Sequence, residues 1–181
     1  MSRLVLPVGE RDHVRGRPDA PVTLVEYGDY ECPHCGRAFP IVKEVERLLG
    51  DRLRFVFRNF PLAEIHPHAA HAAEAAESVG ARGGAEAYWA MHDLIFQHQR
   101  SLGDERLAAL AEQAGVPGSL VLEDLREGRY QDRVREDFGS GVRSGVNGTP
   151  TFFVNGVRYD GSWDLDRLVA ALERAAGSGV G

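Results

Sequence analysis

The tetrad Cys32-Pro33-His34-Cys35 holds the only two cysteines of the chain, where a β-favouring run gives way to a helical one. Two cysteines three apart cannot staple a small disulfide framework, so the fold must rest on its own core. Chemistry is open to them instead. The first N–H groups of a helix lack intrahelical partners and carry about half a positive charge, which favours a thiolate at Cys32. Pro33 suits the first helical position, and His34 brings a cation or a hydrogen-bond donor close to the sulfur. Cys35, one turn on, is placed to attack a mixed disulfide at Cys32 and release it. If the Cys32 pKa fell from about 8.5 to about 5, the reduced form would gain about 2.7 kcal/mol at pH 7. The pair would then be more oxidising by about 60 mV. Zinc binding and an inert structural pair are the competing readings. Zinc takes four ligands, and His66, His68 and His71 lie about 30 residues on, unlike a Cys₂His₂ site. Thiol redox chemistry is therefore the expectation, with no metal.

The tetrad sits early in an ordered series of elements. Pro21 to Tyr27 reads as a buried strand after the turn-like segment 16–21. A helix follows from Pro33 to Leu49, because Ala38, Val42, Val45 and Leu49 form one stripe, and Gly50-Asp51 closes it. Leu53–Phe57 is a second strand. Residues 66–145 read as five helices in succession, built around stripes such as Trp89, Met91, Ile95 and Phe96. Two short strands, 151–154 and 157–159, then flank Asn155-Gly156, the strongest short hairpin signal. Asp164 caps a last helix, which is expected to fray from Gly177 onward. The order is β-α-β, a helical block, then β-β-α: an α/β fold with a sheet, helices packed on it, and a separate helical bundle.

Composition narrows the functions. At 181 residues the chain is one domain, with room for an insertion. Its net charge is −6 and Lys43 is its only lysine, so it lacks both the basic footprint of a nucleic-acid binder and a polybasic membrane patch. No apolar run reaches the length of a membrane span. The opening Met-Ser-Arg-Leu-Val-Leu-Pro-Val-Gly-Glu turns polar too soon for a secretory leader, so a cytoplasmic setting is expected as read, or an extracytoplasmic one if a leader was removed.

The tetrad at a helix start, with Gly148-Thr149-Pro150 before a terminal hairpin and helix, resembles the thioredoxin superfamily, and most of all its DsbA-like branch. The resemblance runs from about Pro21 to Ala176. It implies a thioredoxin fold over 1–64 and 146–181 with a helical domain inserted at 65–145. Pro40, five residues beyond Cys35, matches the family's helix kink. Thr149-Pro150 matches its cis-proline, which pairs with an extended client by strand addition; a trans proline opening the strand is the plainer alternative. Glu26 stands where the family keeps a buried acid that relays a proton to Cys35; otherwise it is a half-exposed strand residue paired with Arg58. Asp29 and Glu31 depart from the aromatic pair usual before the tetrad, and their charge opposes a thiolate.

The resemblance implies a protein thiol–disulfide oxidoreductase leaning to oxidation or isomerisation. Its catalytic residues are Cys32, Cys35, His34 and Glu26, and its substrate-binding residues Pro33, Thr149 and Pro150. No cofactor is called for, since the dithiol is itself the redox equivalent. The expected partners are cysteine-containing polypeptides and a redox protein that regenerates the pair. A glutathione-linked transferase or isomerase of the same superfamily, and a non-catalytic peptide-binding module, are the alternatives. A reducing cytosol favours net reduction, whereas the Pro-His spacer favours oxidation.

Overall fold

The structure is a computed structural model and describes residues 2–178. Its chain divides into two compact units: residues 1–28, 37–58 and 140–181 in one, 29–36 and 59–139 in the other.

The first unit is built on a five-stranded sheet, β1 (His13–Gly16), β2 (Val22–Gly28), β3 (Leu53–Asn59), β4 (Thr151–Val154) and β5 (Val157–Tyr159), in the order β1-β3-β2-β4-β5. All seven residues of β2 are buried, as its central place requires, and this is why Val22, Leu24 and Val25 run together without polar alternation. β4 pairs antiparallel with β2, Tyr27 opposite Thr151 and Leu24 opposite Val154. Asn155 and Gly156 turn the β4–β5 hairpin at φ +46° and +81°, the left-handed region that an Asn-Gly pair tolerates. The Asn155 side chain also accepts from the Thr23 N–H at 2.8 Å, pinning the hairpin to β2. α1 (Pro33–Leu49) buries the predicted stripe of Ala38, Val42, Val45 and Leu49 and carries Pro40 within it. The last helix, α7 (Leu165–Gly177), is capped by the Asp164 carboxylate accepting from the Arg167 N–H, and packs on β2. It extends through Gly177, later than expected; the end of the predicted frayed tail, 179–181, lies outside the described residues.

Sequence reading missed β1. Its four residues are short and polar-flanked, and they become a strand by pairing antiparallel with β3, His13 opposite Phe57. A buried ion pair accompanies it. Arg58 meets both oxygens of Asp12 at 2.8 and 2.9 Å and also donates to the Tyr27 hydroxyl. Arg58 is thereby engaged with Asp12, not with Glu26 as one reading had it.

The second unit is helical: α2 (Ala69–Gly83), α3 (Ala85–Gln97), α4 (Asp104–Gln113), α5 (Gly118–Glu127) and α6 (Gln131–Arg143), whose last four residues fall in the first unit. The alanines of α2 let α3 and α5 approach closely, and Met91, Ile95, Leu107 and Leu110 fill the core. Asp124 of α5 accepts from Ser78 and Arg82 of α2, and the Arg82 guanidinium holds its carboxyl below the usual carboxylate range. All five helices lie between β3 and β4 in sequence, so the fold is the expected mixed sheet with flanking helices and inserted helices.

Candidate active site

β2 ends at Gly28, a position where nothing larger fits: a Cβ there would run into the Phe57 ring. The chain then makes the turn Asp29-Tyr30-Glu31 and enters α1 at Pro33, which leaves Cys32 as the residue just before the helix. The Cys32 carbonyl accepts from the Gly36 N–H at 3.0 Å, the bond that an N-cap residue contributes. No acidic residue lies in the first turn of α1, so the positive end of its dipole is not offset from within the helix. Cys32 and Cys35 are both buried, at 4% and 0% exposure, and are not joined by a disulfide. They are neighbours one helical turn apart, the spacing that disulfide exchange needs. Pro33 and His34, between them, face outward.

Three further side chains fix this turn, and the sequence reading assigned none of them that task. Asp29, expected only to oppose the thiolate, is buried; its Oδ1 accepts from the N–H of Glu31 at 2.7 Å and of Cys32 at 3.2 Å. Its Oδ2 accepts from the Leu62 N–H and meets Nδ1 of His66, both at 2.8 Å. Gln99 donates its side-chain amide to the carbonyls of Cys32 at 2.6 Å and Tyr30 at 3.1 Å. The Tyr30 hydroxyl meets Nδ1 of buried His92 at 2.9 Å, inside a cluster with Trp89 and Phe96. An aspartate three residues before a helix-capping cysteine was a readable signal; a glutamine 67 residues on was not.

The histidine cluster is not gathered on one ligand. His66 faces Asp29, His71 Nδ1 meets Asp104 at 2.7 Å, and the His68 N–H donates to Glu31. Among the described residues no group of three or more His, Cys, Asp or Glu side chains is arranged to hold a metal ion.

The remaining predicted residues lie in the first unit. Glu26 is buried on β2, opposite Phe152. The Thr149–Pro150 peptide bond is cis, as the resemblance implies and against the plainer trans alternative, and runs directly into β4 at Thr151, whose hydroxyl donates to the Gly148 carbonyl.

The comparisons agree with this architecture. BdbD from Bacillus subtilis superimposes with a TM-score of 0.86 at 24% identity, over 97% of this chain and 98% of that one. A thioredoxin-like oxidoreductase from Silicibacter pomeroyi gives 0.75 at 25% identity, over 93% and 94%. In sequence, the chain is 47% identical over 175 residues to the Na⁺/H⁺ antiporter NhaA 1 of Salinispora arenicola, a match covering 95% of this chain and 26% of the antiporter. The chain thus spans about a quarter of the length of that relative. Among the described residues, no helix is long and apolar enough to cross a membrane. The thioredoxin family profile matches residues 9–174, and with that sheet, that helical insertion and that dithiol turn, the chain belongs to the thioredoxin family.

Proposed function

We propose that the protein is a thiol–disulfide oxidoreductase acting on cysteine-containing polypeptides through Cys32 and Cys35. The observation that carries this reading is the placement of Cys32 at the N-terminus of α1, with Cys35 buried one turn behind it. In the oxidising direction a client thiolate attacks Cys32 Sγ of the Cys32–Cys35 disulfide. The enzyme's S–S bond breaks, a client–Cys32 mixed disulfide forms, and Cys35 leaves as a thiolate that takes up a proton. A second client thiol, deprotonated, then attacks the client sulfur of that mixed disulfide. The client gains a disulfide, Cys32 departs as the thiolate favoured at a helix start, and two electrons rest on the enzyme's dithiol.

His34, exposed between the cysteines, stabilises the departing thiolate, and Glu26 serves as proton relay to Cys35. Pro33, Thr149 and Pro150 contact the client, the Thr149 main chain pairing with an extended segment. A separate redox protein regenerates the pair, and the poise of the compartment decides the net direction; an oxidising setting outside the cytoplasm suits the Pro-His spacer.

The test is insulin reduction and oxidative refolding of a reduced client, comparing the wild type with Cys32→Ser. Loss of both activities in the variant is the expected result. Undiminished turnover by Cys32→Ser, or none by the wild type, would reject the reading, and a variant that merely retains a peptide partner would favour a binding module.

A further inference from the structure

Asp29 touches both halves of the dithiol. Its carboxylate accepts from the main chain of Cys32 at 3.2 Å, while its own backbone N–H points at Cys35 Sγ at 3.5 Å. The side chain has no exposed surface, and His66, its partner at 2.8 Å, is 16% exposed at the rim. The N–H groups of Glu31, Cys32 and Leu62 can only donate, so both carboxylate oxygens are held as acceptors. The result is an acid group fixed under the nucleophile and covered on its far side by an imidazole.

Resting on the oxidoreductase reading above, we propose that Asp29 is a positioning residue that restrains the oxidising power of the Cys32–Cys35 pair, with His66 as its counter-charge. Cys32 Sγ is three bonds from its own N, which places the sulfur within about 7 Å of Asp29 Oδ1. At that range, in a protein interior, a negative charge disfavours a thiolate by about tenfold or more. Whatever destabilises the thiolate of the reduced form makes the disulfide harder to reduce, so Asp29 acts against the helix start and against His34. The His66 imidazole, donating to Oδ2, takes back part of that charge. Further charged or titratable groups on this turn are Tyr30, whose hydroxyl meets His92, Glu31, whose Oε1 accepts from the His68 N–H, and His34 beyond Cys32.

A role limited to capping the turn predicts the opposite sign. Loosening the start of α1 would remove the helix's pull on the sulfur and lower the thiolate fraction. The experiment follows thiolate absorbance near 240 nm and the equilibrium with reduced and oxidised glutathione, for the wild type, Asp29→Asn, His66→Asn and the double variant. Asp29→Asn is expected to raise the Cys32 thiolate-to-thiol ratio about tenfold and shift the potential about 30 mV toward oxidation. His66→Asn keeps a donor near Oδ2 but loses the imidazole, and is expected to move both readings the other way. On the Asp29→Asn background it is expected to have no effect.

An unchanged or smaller thiolate fraction in Asp29→Asn overturns the proposal. Should that variant fail to fold, His66→Asn decides: no shift, or a shift toward oxidation, overturns it equally. A wild type that never equilibrates with glutathione overturns the oxidoreductase reading itself, which separates the two failures.

Discussion

Gln99 occupies the space that a side chain at Gly36 would need: a Cβ built there would overlap its terminal amide. Gly36 follows Cys35 directly, and the same amide donates to the carbonyls of Cys32 and Tyr30. The absent side chain at position 36 is therefore what lets Gln99 hold the main chain on both sides of Glu31, all within the second unit.

Gly36→Ala is expected to evict that amide rather than to distort α1, since alanine is the better helix former. Two part-buried hydrogen bonds would be lost, at a cost of about 1–2 kcal/mol. Gln99→Ala should cost about the same, and the double variant little more than either, because both changes remove one interaction. Urea denaturation of the three variants checks this; simple additivity would show that the two residues act separately.

Much of this arrangement was legible in the sequence and some was not, for a physical reason. α1 was readable because its apolar stripe and its terminators are local, and its observed bounds match the expectation at both ends. The β4–β5 hairpin was readable because positive φ at Asn155 and Gly156 is a property of those two residues alone. β1 was not, since four residues become a strand only through β3. Asp29 shows the same limit at the site. Its charge is visible in the sequence, but the donors of Leu62 and His66 that hold it lie 33 and 37 residues on. Gln99 offers no local cue at all. What chain-local chemistry dictates could be read ahead; what depends on a distant partner could not.

Arg58 and Asp12 supply a stability test away from the dithiol. The Arg58 side chain is 1% exposed and that of Asp12 7%; burial disfavours the guanidinium's charge, but the hydrogen bonds to Asp12 and Tyr27 outweigh it and hold the pKa above the ordinary value. Asp12→Asn keeps the shape but removes the charge that compensates a buried cation. A loss of about 3 kcal/mol is expected, the scale for breaking a buried pair from one side. A shift in the urea midpoint worth under about 1 kcal/mol would show that the carbonyls of Leu6 and Pro7, which also accept from Arg58, suffice to hold it.

Run in the reducing direction, the proposed exchange is completed by Cys35, which attacks Cys32 Sγ of the mixed disulfide and releases the client as a thiolate. Cys35→Ser is thus expected to accumulate a covalent adduct between Cys32 and a thiol peptide supplied as its mixed disulfide, visible in the intact mass without reductant. Cys32→Ser is expected to form none at Cys35, which is completely buried. Equal adducts on both variants would show that the two sulfurs are not ordered into attacking and resolving roles.

Glu74 gives the pH prediction. It is buried on α2, its Oε1 has no hydrogen-bond partner, and burial pushes its carboxyl above the ordinary value of 4.5. The folded protein therefore holds this proton to higher pH than the unfolded chain does. The group's favourable contribution is fully present below the unfolded pKa and is lost as pH rises through the raised folded value. Glu74→Gln resembles the protonated acid at every pH, so it should match the wild type in acid and exceed it at neutrality. A gain of about 1 kcal/mol at pH 7 is expected, the scale of a buried polar group relieved of its charge. Urea denaturation at pH 4 and pH 7 measures it directly. The gap between variant and wild type should widen with pH; one that stayed constant would mean that His71 and Arg135, whose charges favour the carboxylate, keep Glu74 ionised at both.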